Sequence, residues 1–205
     1  MDPQIHQALD AHWGLRLIRQ DPWECMVSFI LSAYNNIPRL TGMLARLAES
    51  FGEPLADRQY RFPKPEVIAR VSQRDLRKLG LGFRAPYIEE AARRVAEGRP
   101  DLNRLQALEE DRLREELLKI PGVGEKVVEC ILLFAYGRTG AFPVDVWIGR
   151  TMRAWYFRRR KVTDRKIREF ARNYFGPHCG WAQQYLYCQI RGQIRGQPIR
   201  GHPTG

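Results

Sequence analysis

Apolar residues recur through most of this chain at the three- and four-residue spacing of a helix face, and no stretch alternates convincingly as a strand would. That pattern restricts the chain to an all-α fold. Asp21-Pro22 opens one run, with Trp23, Met26, Val27, Ile30 and Leu31 along its face and an end near Tyr34. Pro38 opens a second, closed by Phe51-Gly52. The proline-bearing stretch 53–65 reads as a loop, followed by short helices over 64–70 and 72–78 and by Gly80-Leu81-Gly82. Helices are then predicted near 84–97, 111–119, 125–136 and 145–157, with two last ones near 163–174 and 179–191. Residues 193–205 are basic and rich in Gly and Pro, so a disordered tail is expected after an ordered core of 1–192.

A chain of 205 residues, 44% hydrophobic and 28% charged, can bury a core without disulfide staples, as one domain or two intimate lobes. Thirty-four Lys and Arg against 23 Asp and Glu leave a net charge of +11, which favours a polyanionic partner, and nucleic acid is the commonest. Cys25, Cys130, Cys179 and Cys188 form no CxxC pair and fit neither a zinc site nor a clustered iron–sulfur loop. Reduced cytosolic thiols are the simplest account of them. No metal or organic cofactor is expected. No N-terminal apolar signal or long apolar run is present, so a membrane is not an expected partner.

The segment Leu117-Leu118-Lys119-Ile120-Pro121-Gly122-Val123-Gly124-Glu125-Lys126 reads as helix, tight turn, helix. Two glycines let backbone approach another surface without Cβ interference, and the start of the next helix favours an anion. Gly122, Val123 and Gly124 could therefore grip a DNA phosphate without reading a base. The same Gly-Val-Gly also suits a tightly packed αα-corner.

Ile120-Pro121-Gly122-Val123-Gly124 with Lys126, an apolar helix, and then Phe142-Pro143-Val144-Asp145 together resemble the helix–hairpin–helix (HhH-GPD) DNA glycosylase superfamily. Further segments resemble its 8-oxoguanine glycosylase/AP lyase branch: Arg19 to Cys25, Ser28-Phe29-Ile30, Asn35 to Met43, Leu79 to Tyr87 and Phe175 to Gln183. The similarity runs from about residue 15 to residue 190. It implies a two-lobed helical core, with a bundle over about 35–125 and a second lobe from both chain ends. The active site would lie in the cleft between them, with the hairpin at its mouth.

The activity implied is excision of an oxidised purine, 8-oxoguanine opposite cytosine, from duplex DNA in base excision repair, with β-elimination through a lysine Schiff base. Lys126 would be the nucleophile, although a lysine in a first helical turn is by itself an ordinary surface residue. The positive end of that helix disfavours an ammonium there. Asp145 would stabilise positive charge developing on the sugar, and it is equally a natural helix cap. Cys130, Gln183 and Tyr187 would line the damaged-base pocket. Asn35 and Asn36 would fill the gap left by the base, Phe83 would stand as an aromatic wedge beside the neighbour of the opposite cytosine, and Arg39 and Arg84 would contact that cytosine's edge, arginine being suited to donate to two acceptors at once. A monomer acting on double-stranded DNA, cytoplasmic with the nucleoid or nuclear, is expected.

Three departures from the branch stand out. Tyr34 occupies the place of a first asparagine, Trp147 that of a phosphate-contacting histidine, and the chain begins where the family's N-terminal β-rich lobe would have ended. Two other readings remain: a helix–hairpin–helix glycosylase for another lesion, such as an alkylated purine or oxidised pyrimidine, and a non-catalytic DNA-binding module. Lys126 argues against monofunctional alkylation enzymes. The module would have no use for Lys126 together with Asp145.

Overall fold

The computed structural model describes residues 2–194, and among these no β-strand forms beyond one isolated bridge between Pro54 and Tyr60. The chain divides into two compact units, one of Met1–Ile18 with Gly137–Gly205 and one of Arg19–Tyr136.

Helix α1 (Pro3–Ala11) belongs to the first unit and has no counterpart among the helices expected from the sequence. Its start signal is Asp2-Pro3: the Asp2 carboxylate accepts from the Ile5 amide at 2.9 Å, and proline opens the first turn. The weak apolar stripe between polar neighbours hid it.

The Arg19–Tyr136 unit runs through α2 (Pro22–Leu31), α3 (Ile37–Phe51), α4 (Pro65–Ile68), α5 (Gln73–Lys78), α6 (Ala85–Ala96), α7 (Glu110–Leu118) and α8 (Glu125–Phe134). Helix α2 starts as its sequence dictates, with Asp21 capping the Trp23 and Glu24 amides at 2.9 Å. It stops at Leu31, short of Tyr34, whose backbone turns left-handed at φ 49°. Helices α2 and α8 pack together and supply the core: Met26, Val27, Ile30 and Leu31 from one, Val128, Ile131, Leu132 and Leu133 from the other. Burying such side chains contributes about 1.5–3 kcal/mol each. Fully buried Glu129 of α8 is offset by an ion pair with Arg114 of α7, which Glu110 also holds.

The other unit adds α9 (Val146–Trp155), α10 (Asp164–Phe175) and α11 (Cys179–Ile194) to α1. Phe142, Ile148, Met152, Ile167, Ala171 and Leu186 form its core. The Asp2 carboxylate accepts from the Tyr156 hydroxyl at 3.1 Å and the Tyr174 hydroxyl at 3.0 Å, so one residue caps α1 and ties it to the α9–α10 side of this unit. Helix α11 continues to Ile194, which corrects the expectation of disorder from residue 193. A helix face that packs against α1 outweighs the glycine at 192. The rest of that expected tail, 195–205, lies outside the described residues.

Candidate active site

In the Arg19–Tyr136 unit the hairpin follows α7 and delivers the chain into α8. The Val123 amide donates to the Ile120 carbonyl at 3.0 Å and closes the turn, while the side chains of Ile120 and Val123 are buried. Gly122 has φ 84°, and a Cβ there would stand 2.8 Å from Cβ of Tyr87 and 3.3 Å from Cγ2 of Ile30. Its glycine is therefore demanded by folding. Gly124 is different: it is the cap residue of α8 in ordinary extended backbone at φ −94°, and a Cβ there would meet nothing within 4 Å. Val123 has its amide engaged inside the turn.

Lys126 lies in that first turn, half-buried. Its Nζ donates to Oγ of Ser32 at 3.0 Å and stands 4.9 Å from the centre of the Phe29 ring, a cation–π distance. Ser32 donates onward to the Phe29 carbonyl at 2.7 Å, and Phe29 stacks on Phe134 at 5.5 Å. The lysine is thus held by α2, not loose on the surface. Ser32 and Phe29 were not singled out as site residues from the sequence. The Ser28-Phe29-Ile30 segment was the available signal, but only the packing of α2 on α8 brings it to Lys126. Cys130, one turn further along α8, is 2% exposed. It lies near enough to Cys25 that, after burial itself, its charge is the next influence raising the Cys25 thiol far above its ordinary range.

Beside the hairpin runs a shallow groove of about 520 Å³, lined by Ala33, Tyr34, Phe83, Tyr87, Leu118 and the turn 119–124. Tyr34 is 96% exposed and Phe83 57% exposed at this groove. Asn35 donates to the Leu31 carbonyl at 3.0 Å and accepts from the Asn36 amide at 3.0 Å. Asn36 caps α3, accepting from the Arg39 amide at 2.9 Å. Arg39 is exposed, and its charge adds to burial in pulling Arg84 below the usual guanidinium range. Arg84 is 2% exposed, and its Nε and Nη2 are engaged on the carbonyls of Ala33 and Tyr34.

In the other unit Asp145 caps α9, its Oδ1 accepting from the Ile148 amide at 2.8 Å. Ala141 to Val144 before it are buried, so the half-exposed carboxylate is carried on a rigid approach. Gln183 of α11 is 3% exposed and donates to the Pro143 carbonyl at 3.0 Å, bracing that approach. Tyr187, one turn along α11, accepts from Arg191 at 3.2 Å, with the same guanidinium 5.7 Å from its ring centre. Trp147 is 43% exposed under the guanidinium of Arg150 at 5.2 Å. Among the described residues no group of three His, Cys, Asp or Glu side chains is placed to hold a metal ion, and no helix is long and apolar enough to cross a membrane.

Described residues that form helices and no strand, with a glycine hairpin leading into a lysine-bearing helix and an aspartate capping the next helix, are the architecture of helix–hairpin–helix DNA-repair proteins. The chain belongs to the HhH-GPD superfamily of base excision DNA repair proteins, whose family model matches residues 27–177. It is 36% identical to the probable N-glycosylase/DNA lyase of Methanothermobacter thermautotrophicus, over 93% of this chain and 68% of that one. It is 31% identical to the N-glycosylase/DNA lyase of Saccharomyces cerevisiae, over 92% of this chain and 60% of that one. Among solved structures, the 8-oxoguanine glycosylase/lyase of Clostridium acetobutylicum, in complex with double-stranded DNA containing cytosine opposite 8-oxoguanine, superposes with a TM-score of 0.88. That likeness is at 34% identity and covers 95% of this chain and 67% of that one. This chain thus spans about three-fifths to two-thirds of the length of these relatives.

Proposed function

We propose that this protein is a bifunctional DNA glycosylase and AP lyase that removes 8-oxoguanine from duplex DNA, with cytosine an accepted opposite base. The observation that carries this reading is Lys126, half-buried in the first turn after the hairpin and held by Ser32 and Phe29. A solvated surface lysine needs no such seat.

A base inside a duplex is out of reach, so the nucleotide must first leave the stack. Gly122, Gly124 and the start of α8 grip a backbone phosphate. The free amine of Lys126 attacks C1′, forming a carbon–nitrogen bond as the glycosidic bond breaks and the base departs with the electron pair, to be protonated. Ring opening of the sugar gives the imine. Loss of a C2′ proton then expels the 3′-phosphate by β-elimination. Asp145 opposes the positive charge that develops on the sugar with a fixed negative one, held by its bond to the Ile148 amide. Cys130, Gln183 and Tyr187 are assigned to the pocket for the extruded base, and Asn35, Asn36, Arg39 and Phe83 to the space it leaves. Such an enzyme works where the genome is, in a cytoplasm with a nucleoid or in a nucleus.

Incubation with an 8-oxoguanine·cytosine duplex and sodium borohydride should yield a covalent protein–DNA band. Lys126→Gln should abolish the band and excision while DNA binding persists. Undiminished trapping by that variant rejects Lys126 as the nucleophile. A wild-type protein that binds DNA but neither gives a band with nor releases any oxidised or alkylated base leaves a binding module.

A further inference from the structure

Tyr34 is more exposed than any other large apolar side chain among the described residues, at 96%, and its backbone sits at φ 49°, where a residue with a Cβ is disfavoured. A buried arginine fastens the backbone that carries both features. Arg84, 2% exposed, donates from Nε to the Ala33 carbonyl at 2.9 Å and from Nη2 to the same carbonyl and to that of Tyr34 at 3.0 Å. Desolvating a guanidinium to fasten two successive carbonyls is worth its cost only if the conformation they adopt matters. The outcome is an aromatic ring presented to solvent on the rim of the groove that also carries Phe83 and the hairpin.

We infer that Tyr34 joins Phe83 in entering the base stack beside the extruded nucleotide, that Arg84 is a positioning residue that holds it there, and that this chain therefore tolerates different bases opposite the lesion. The inference rests on the glycosylase reading above. Every base presents a π-face, so a stacked aromatic ring does not discriminate between partners as hydrogen bonds do. Arg84, with Nε and Nη2 committed to backbone, no longer offers the two-pronged donation that reads a base edge. Discrimination at the opposite base is then left largely to Arg39.

The test compares wild type, Tyr34→Phe, Tyr34→Ala, Arg84→Lys and the Ala/Lys double variant, each checked by melting temperature. Two quantities are read: binding to a duplex with a stable abasic analogue relative to an intact duplex, and single-turnover excision of 8-oxoguanine opposite each of the four bases. Wild type should show excision rates within about tenfold across the four partners, as expected of stacking. Tyr34→Phe should keep the wild-type preference for the abasic duplex. Tyr34→Ala should lose about tenfold to a hundredfold of it, the range for removing one stacked aromatic ring, with intact-duplex binding unmoved. Arg84→Lys should lose a similar factor, and the double variant little more, since the two act as a unit. Should Arg84→Lys not fold, the Tyr34 variants decide alone. If wild type neither prefers the abasic duplex nor excises any base, the glycosylase reading falls and takes this inference with it. If wild type does both, but Tyr34→Ala matches it or wild type excises more than about tenfold better opposite cytosine than opposite the other bases, this inference alone is overturned.

Discussion

The side-chain nitrogen of Lys126 donates to the Ser32 hydroxyl at 3.0 Å, and that hydroxyl donates in turn to the Phe29 carbonyl at 2.7 Å. A residue capping the end of α2 thereby aims a residue on α8. Removing the hydroxyl should leave the amine competent but less well placed. Ser32→Ala is expected to lower single-turnover excision about threefold to tenfold, the worth of one net hydrogen bond, while borohydride trapping survives. A loss as complete as that of Lys126→Gln would mean Ser32 takes part in the chemistry itself.

Asp145 both caps α9 and carries the charge assigned to the transition state, and two substitutions separate these roles. Asparagine caps as well as aspartate, so Asp145→Asn should melt with the wild type yet lose about a hundredfold to a thousandfold in excision rate. Asp145→Ala should additionally lose about 1 kcal/mol of stability, lowering Tm by about 2–4 °C. Equal turnover in Asp145→Asn and wild type would reduce Asp145 to a cap.

The two hairpin glycines should respond oppositely to alanine. Gly122→Ala meets Tyr87 and Ile30 in a left-handed backbone and should destabilise by about 1–3 kcal/mol, visible as a lower urea midpoint. Gly124→Ala enters open space and should leave that midpoint unchanged. If backbone phosphate passes there, its affinity for duplex DNA should fall about tenfold or more, as for one lost charge-assisted bond. Unaltered affinity would assign the hairpin to packing alone.

Alkaline pH should unfold this protein early. Burial raises the Cys25 thiol from its ordinary 9.0, and likewise the Tyr136 and Tyr156 phenols from 10.0, the last helped by Asp2. The folded chain keeps these protons where the unfolded chain releases them, so stability is full below about pH 9 and falls above it. Each group contributes up to about 1.4 kcal/mol per pH unit in that range. Urea midpoints should therefore drop between about pH 8 and about pH 10.5, and a flat midpoint would show that these groups ionise freely in the native state.

Local patterning wrote much of this into the sequence. Asp21-Pro22, the apolar run to Leu31, the glycine hairpin and the aspartate before α9 are short-range signals, in which a cap, a turn or a helix face is decided by residues three or four apart. The resemblance of those segments to a family then supplied Lys126 and Asp145, which an isolated lysine and an isolated helix cap would never have declared. Tertiary packing alone decided the rest. Ser32 reaches Lys126 because α2 lies on α8; Arg84 abandons the surface to fasten the carbonyls of Ala33 and Tyr34. Helix α1 forms where the pattern was faint because Asp2 and the packing of α1 on α11 hold it. The partners in these contacts lie tens to more than a hundred residues apart along the chain, and no local propensity encodes which distant carbonyl or hydroxyl a side chain will meet.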